Sequence, residues 1–172
     1  MQFTLILLGT ILLGALYGAL RDGLIRLYVP EYFSLAVDKT VPLESVLLAG
    51  AVTWGTFGAV LGTCLACAAR LGKRPKRTAR DLRKPLLLLL AMISVFSLLA
   101  GIFGAVSTSF GLNVLPPEVR ERFQMRQWSG LQFGWFAQIM GNYVGFVAGG
   151  MMIGWVWVSR KRFTARKPNI KA

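Results

Sequence analysis

A chain of 172 residues that is 55% hydrophobic and 16% charged carries more apolar sequence than one soluble core needs, and its apolar residues fall in long runs. Its net charge of +13 is concentrated: eight of the twenty Lys and Arg lie between Arg70 and Lys84 and six more between Arg160 and Lys171, each cluster bordering an apolar run. That placement fits membrane topology and anionic headgroups and argues against a nucleic-acid groove.

Taken in chain order, the apolar runs predict four membrane spans, at about residues 3–20, 43–69, 86–110 and 131–158, none of them containing Pro. Each has roughly the 20 apolar residues that a hydrocarbon core demands. The runs are uniformly apolar and too long for barrel strands, so the expected fold is all-α: a single transmembrane domain over residues 1–172, an integral membrane four-helix bundle. The first run is preceded by Met1 and Gln2, with no Lys or Arg, and is read as a retained first helix and not as a cleaved signal peptide. Pro85 is placed to open the third span at its first turn.

The links between spans set the orientation. The link from Arg21 to Glu44 sets Arg21, Arg26 and Lys39 against Asp22, Glu31, Asp38 and Glu44, and the link from Pro116 to Gly130 sets Arg120, Arg122 and Arg126 against Glu118 and Glu121. Residues 70–85 carry Asp81 as their one acid, and the tail at 159–172 carries none. The positive-inside rule makes the basic loop and the basic tail cytoplasmic, which with four spans gives N-in/C-in. The basic loop reads as a topology determinant, with anionic-lipid binding as the alternative.

The outward link RDGLIRLYVPEYF mixes apolar and charged residues. It is either a continuation of the first helix that bends at Pro30 or a segment lying at the interface, and Tyr28, Tyr32 and Phe33 would join an aromatic belt. In the later outward link, Pro116 and Pro117 precede EVRERF, a natural helix start, and Trp128 and Trp135 mark the entry of the fourth span.

Glycines are spaced for close helix packing: Gly14 and Gly18 in the first span, Gly55, Gly58 and Gly62 in the second, and Gly141, Gly145 and Gly149 in the fourth. Gly101 and Gly104 open a groove in the third, and Gly134 lies on the side of the fourth span's seam. The partner of these faces is either another helix of this chain or a second subunit. Cys64 and Cys67 stand i, i+3 and read as small buried side chains, with a redox pair as the alternative.

Chemistry-bearing candidates are sparse. Gln138 and Asn142 stand i, i+4 and are expected to face the bundle interior, since an unpaired amide in hydrocarbon is costly. No acid or base lies deep within a span, and Arg21 and Asp22 end the first one, where they pair or snorkel. The candidate outer-face site is Asp22, Glu31, Tyr32, Trp54, Gln138 and Asn142. Asp22, Glu31 and Asp38 match no compact metal loop. A Ser-His-Asp triad and a histidine-ligated haem are impossible without histidine, and no phosphate-cradling glycine loop is present. No catalytic residue, metal or cofactor is expected.

The stretches YGALRDGLIRLYVPEYFSLA, WGTFGAVLG and ACAARLGKRP resemble a group of small uncharacterised bacterial four-helix inner-membrane proteins with a Pro-Glu-Tyr-Phe motif after the first span. The resemblance covers Tyr17, Gly18, Asp22, Pro30, Glu31, Tyr32, Phe33, Trp54 and Gly55, and extends to Asn142, Tyr143, Gly149 and Gly150. It implies a multi-pass protein of the bacterial cytoplasmic membrane. The group's histidines beside the Asp and after the motif are replaced here by Arg21 and Val37-Asp38, so no histidine-dependent role carries over. It implies no activity.

Three functional readings follow. The first is a non-enzymatic accessory or structural subunit, using its glycine faces against a protein partner or a second copy, with membrane lipids around it. The second is a small transport or lipid-handling protein with an outward cavity lined by the six candidate residues. The third is a membrane enzyme in which Asp22 and Glu31 converge on one cleft.

Overall fold

The computed structural model describes residues 1–35, 41–72 and 75–165, the backbone alone for 161–165. Asp38, Lys39, Lys73, Arg74 and the end of the basic tail lie outside the described residues. The described chain is all-α: α1 (Gln2–Tyr28), α2 (Pro30–Phe33), α3 (Leu43–Arg70), α4 (Ala79–Ser109), α5 (Pro117–Arg122) and α6 (Met125–Ala165). Helices α1, α3, α4 and α6 are each long and apolar enough to cross a membrane.

Local sequence explains where the helices start and stop. Helix α1 runs past Arg21 to Tyr28, and Val29 leaves helical geometry because the residue before a proline is pushed out of the α region. Helix α4 does not open at Pro85 as expected. It opens a turn and a half earlier, where Thr78 and Asp81 form a reciprocal capping box, the Asp81 carboxylate accepting from the Thr78 amide at 2.8 Å. Pro85 therefore sits inside the helix, in its second turn, where its missing N–H leaves the Asp81 carbonyl without the usual intrahelical donor. Past the ends of α3 and α4 the chain turns at Gly72 and Gly111, with φ of 83° and 73°, values that side-chain-bearing residues avoid. Helix α5 begins on Pro117, as its sequence suggests.

The four long helices pack as two close pairs, α1 with α3 and α4 with α6. The first pair is the glycine seam. A Cβ on Gly14 would strike the Trp54 backbone, one on Gly18 the Gly50 backbone, and one on Gly58 the backbone of Thr10, while Gly55 rests on Ala15 and Gly62 on the Thr10 side chain. Backbones touch there because no side chain intervenes, and close dispersion contact replaces the hydrophobic drive that lipid does not supply. In the second pair the rings of Phe133 and Phe136 fill the space over Gly101 and Gly104. Gly141, Gly145 and Gly149 make the bridge between pairs, against Arg21 and Ser97, against Trp54 and Phe57, and against Leu61. The glycine partners are thus helices of the same chain. Gly150 and Gly154, by contrast, have nothing within 4 Å.

Three segments meet at one end of the bundle. The Gln2 side chain accepts from the Ala79 amide, Arg77 donates to Ser159, and Arg160 donates to backbone carbonyls of Ala68, Leu71 and Pro75. At the opposite end Arg26 donates to the Val41 carbonyl and Arg122 to those of Ser34 and Leu35. The hydrophobic core occupies the half nearer Arg160, with Ile6, Leu65, Leu82, Leu89, Ile93 and Val156 among its members. Outward-facing Leu5, Leu8, Leu12, Leu16, Leu20 and Leu24 of α1 present the apolar surface that a lipid environment solvates. Cys64 is exposed and Cys67 only half-buried, so neither is the small buried side chain expected.

Candidate functional site

Where the leucine run of α1 gives way to Arg21 and Asp22, the helix carries both charges into the bundle and not out of it. Arg21 is 8% exposed and Asp22 7%. Room for them comes from small neighbours: the Asp22 carboxylate lies over Gly50 of α3, and the Arg21 guanidinium over Gly141 of α6. Arg21 donates through Nε and Nη2 to one Asp22 oxygen at 2.9 and 2.8 Å, and Nη2 also reaches the Gln138 carbonyl oxygen on α6. Its guanidinium carbon stands 4.8 Å from the Trp54 ring centroid and 5.8 Å from that of Tyr17, and Tyr17 meets Trp54 edge-on at 4.8 Å. A buried ion pair of this kind holds only when other contacts make up for lost hydration, and the amide and the two rings supply part of that shell. Three polar atoms in the cluster are buried without a hydrogen-bond partner: Arg21 Nη1, the Tyr17 hydroxyl and Trp54 Nε1.

Beside this cluster α1 and α4 splay apart. In the half nearer Arg160 they close, with α3, around a cavity of about 30 Å³ lined by Leu13, Leu86 and Ile93. In the other half they leave a cleft of about 700 Å³ between α1, α4 and α6. Its walls are mostly apolar, including Leu20, Leu24, Ile25, Val29, Leu98 and Phe133, with Tyr17, Arg21, Ser94, Ser97 and Ser129 interspersed. Leu20, Leu24 and Leu98 are exposed, so the rim belongs to the bundle's apolar outer surface.

The six expected site residues are divided by the structure. Asp22, Trp54 and Gln138 come together around Arg21. Tyr32 packs over Gly134 and edge-on against Phe33, and burial pushes its phenol above the ordinary range. Glu31 accepts instead from Gln127, so it and Asp22 have separate partners. Asn142 does not face the interior. It is exposed, on a smaller cavity of about 320 Å³ that it shares with Trp54, Thr53, Thr56 and Phe146. One continuous mouth lined by all six is therefore not what forms.

No family model, curated protein or solved structure matches the chain. The functional reading accordingly rests on geometry.

Besides Arg21, four participants stand outside the six expected site residues: Tyr17, Ser97, Gln132 and Arg160. Tyr17 precedes Arg21 by four, the spacing that puts both on one helix face, and that signal was present. Ser97, whose hydroxyl donates to the Ala137 carbonyl at 2.7 Å, had no such signal. Gln132 is fully buried, accepting from Ser107 and donating to Asn113, and it joins the far ends of α4 and α6. Arg160, also fully buried, caps the last carbonyls of α3. Among the described residues no three His, Cys, Asp or Glu side chains gather as a metal site. What the central cluster offers chemically is a set of hydrogen-bond donors beside an apolar cleft.

Proposed function

We propose that the protein is a small lipid-handling protein of the bacterial cytoplasmic membrane that holds a lipid-soluble molecule in the cleft between α1, α4 and α6. The observation that carries this is the coincidence of an apolar cleft of about 700 Å³ with a buried polar cluster in its wall. Ligand sites are typically clefts of about 300–1,000 Å³, mostly apolar with a few placed polar groups. Because the cleft's rim is continuous with the surface of four membrane-length helices, the occupant is drawn from the bilayer. The N-in/C-in orientation is supported by the meeting of Gln2, residues 75–79 and Arg160 at the end that carries the basic clusters. The bacterial location rests on the Pro-Glu-Tyr-Phe resemblance.

A role as a non-enzymatic accessory subunit keeps one specific support. Gly150 and Gly154 stand open on α6, whereas the seam glycines are occupied within the chain.

Native mass spectrometry of the protein, gently solubilised from its membranes, separates the two. A copurifying lipid-soluble molecule that is lost in Leu24→Trp, where a ring crowds the cleft rim, is the expected result. A stoichiometric protein partner with no small molecule bound would favour the accessory role and remove the cleft from the account.

A further inference from the structure

We infer that Arg21 and Tyr17 form a polar subsite in the cleft for the neutral carbonyl oxygen of its lipid-soluble occupant, an inference that rests on the cleft reading above. The serines of the cleft wall are already engaged: Ser94, Ser97 and Ser129 donate to the carbonyls of Leu90, Ala137 and Ala105. Among the described lining residues, Arg21 Nη1 and the Tyr17 hydroxyl are the buried donors without a partner at good hydrogen-bond geometry, the hydroxyl standing in looser polar contact with Ser94 and Arg21. Arg21 is more than nine-tenths buried and held by Asp22 and Gln138, so the donor it presents is fixed in place. A fixed donor in an apolar wall selects for an acceptor, because a hydrocarbon of the same length leaves it unpaired.

The charge of that acceptor follows from Asp22. The Arg21 cation is already neutralised by a carboxylate 2.8 Å away. An anionic ligand would add a second negative charge to a buried, balanced pair, and a neutral carbonyl adds none. The ester carbonyl of a glycerolipid and the ring carbonyl of an isoprenoid quinone share this chemistry.

The test is equilibrium binding of radiolabelled methyl oleate to the full-length protein in detergent, with four competitors: octadecene, oleate, dioleoylglycerol and an isoprenoid benzoquinone. Methyl oleate is expected to bind about tenfold more tightly than octadecene, the worth of one charge-assisted hydrogen bond, and oleate no more tightly than its ester. Tyr17→Phe, which removes a hydroxyl without touching the ring, is expected to narrow the ester-to-hydrocarbon ratio several-fold while leaving octadecene binding and thermal stability unchanged. Displacement by dioleoylglycerol alone assigns the carbonyl to a glycerolipid, and displacement by the quinone alone assigns it to a quinone. Equal binding of ester, acid and hydrocarbon, all weakened by Leu24→Trp, would overturn the subsite and leave the cleft standing. Tighter binding of oleate than of its ester would overturn the neutral-acceptor assignment, as would a Tyr17→Phe protein with an unaltered ratio. If methyl oleate does not bind, or Leu24→Trp leaves its binding intact, the cleft reading falls as well.

Discussion

The two halves of the bundle are built on different terms. In the half nearer Arg160 the helices converge on an apolar core, and the deeply buried charge there among the described residues, Arg160, is spread over three backbone carbonyls. In the other half, α1 and α4 part, and the buried charge is the ion pair of Arg21 and Asp22 with an unpartnered nitrogen at Nη1. Both arginines are buried, yet one secures a helix end and the other faces a space. The contrast shows that burial of a charge alone does not mark a site; what marks it is a donor held rigidly and left unused beside a cavity.

The largest effect expected on this contrast is that of Arg21→Ala. It leaves Asp22 as an uncompensated buried acid and should cost about 3–5 kcal/mol in unfolding from mixed micelles. The paired change Arg21→Met with Asp22→Asn should recover most of that loss, because it removes the charges together; failure to recover would mean that the guanidinium's packing, not its charge balance, holds the centre. Next comes Arg160→Gln, which releases carbonyls at the end of α3 and should cost about 2–3 kcal/mol. Unlike changes at Arg21, it should leave ligand binding in the cleft unaltered. Gly18→Ala should follow, at about 1–3 kcal/mol, because a methyl there meets the Gly50 backbone, which cannot step aside. Gly154→Ala, at a position with nothing within 4 Å, is its control and should be near neutral in the same assay. The smallest is Thr78→Ala, about 1 kcal/mol for a lost helix cap, read as a modest fall in melting temperature with no change in binding.

The four long apolar helices were legible because apolar runs of membrane length are hard to mistake, and the glycine seams because spacing alone reports helix faces. Their ends were less so. Arg21 and Asp22 looked like the close of a span, since the apolar run stops there, but adjacent opposite charges neutralise each other and the helix continues with the pair inside. At α4 the apolar run begins after Lys84 and drew attention to Pro85, while the real start lay in the Thr78-to-Asp81 capping box, a pattern present in the sequence and overlooked. Gly50 was passed over because it stands eight residues from Gly58, outside the i, i+4 steps that define a seam. Asn142 differs for another reason: its i, i+4 relation to Gln138 holds, but the buried stripe of α6 passes through Gly141 and Gly145, both turned to the same side of the amide by roughly 60–100°. The cleft was not legible at all. A cavity arises from the angle between helices, and no local pattern in either helix encodes that angle.

The Arg160 clasp also has a mechanical consequence. By joining the last turn of α3 to α6, it fixes the basic end of the bundle, and the cleft lies toward the opposite end, where Gln127 and Glu31 and Arg122 and Ser34 join the helices again. From Arg160 back to Gly130 at the cleft, a helix rising 1.5 Å per residue spans roughly 45 Å. A rotation of only about 5° around the clasp would displace the cleft wall by about 4 Å, and it would have to stretch the Gln127 to Glu31 bond at the far end. Widening of the mouth is thus resisted by the few contacts at the far end and not by the core beside the clasp.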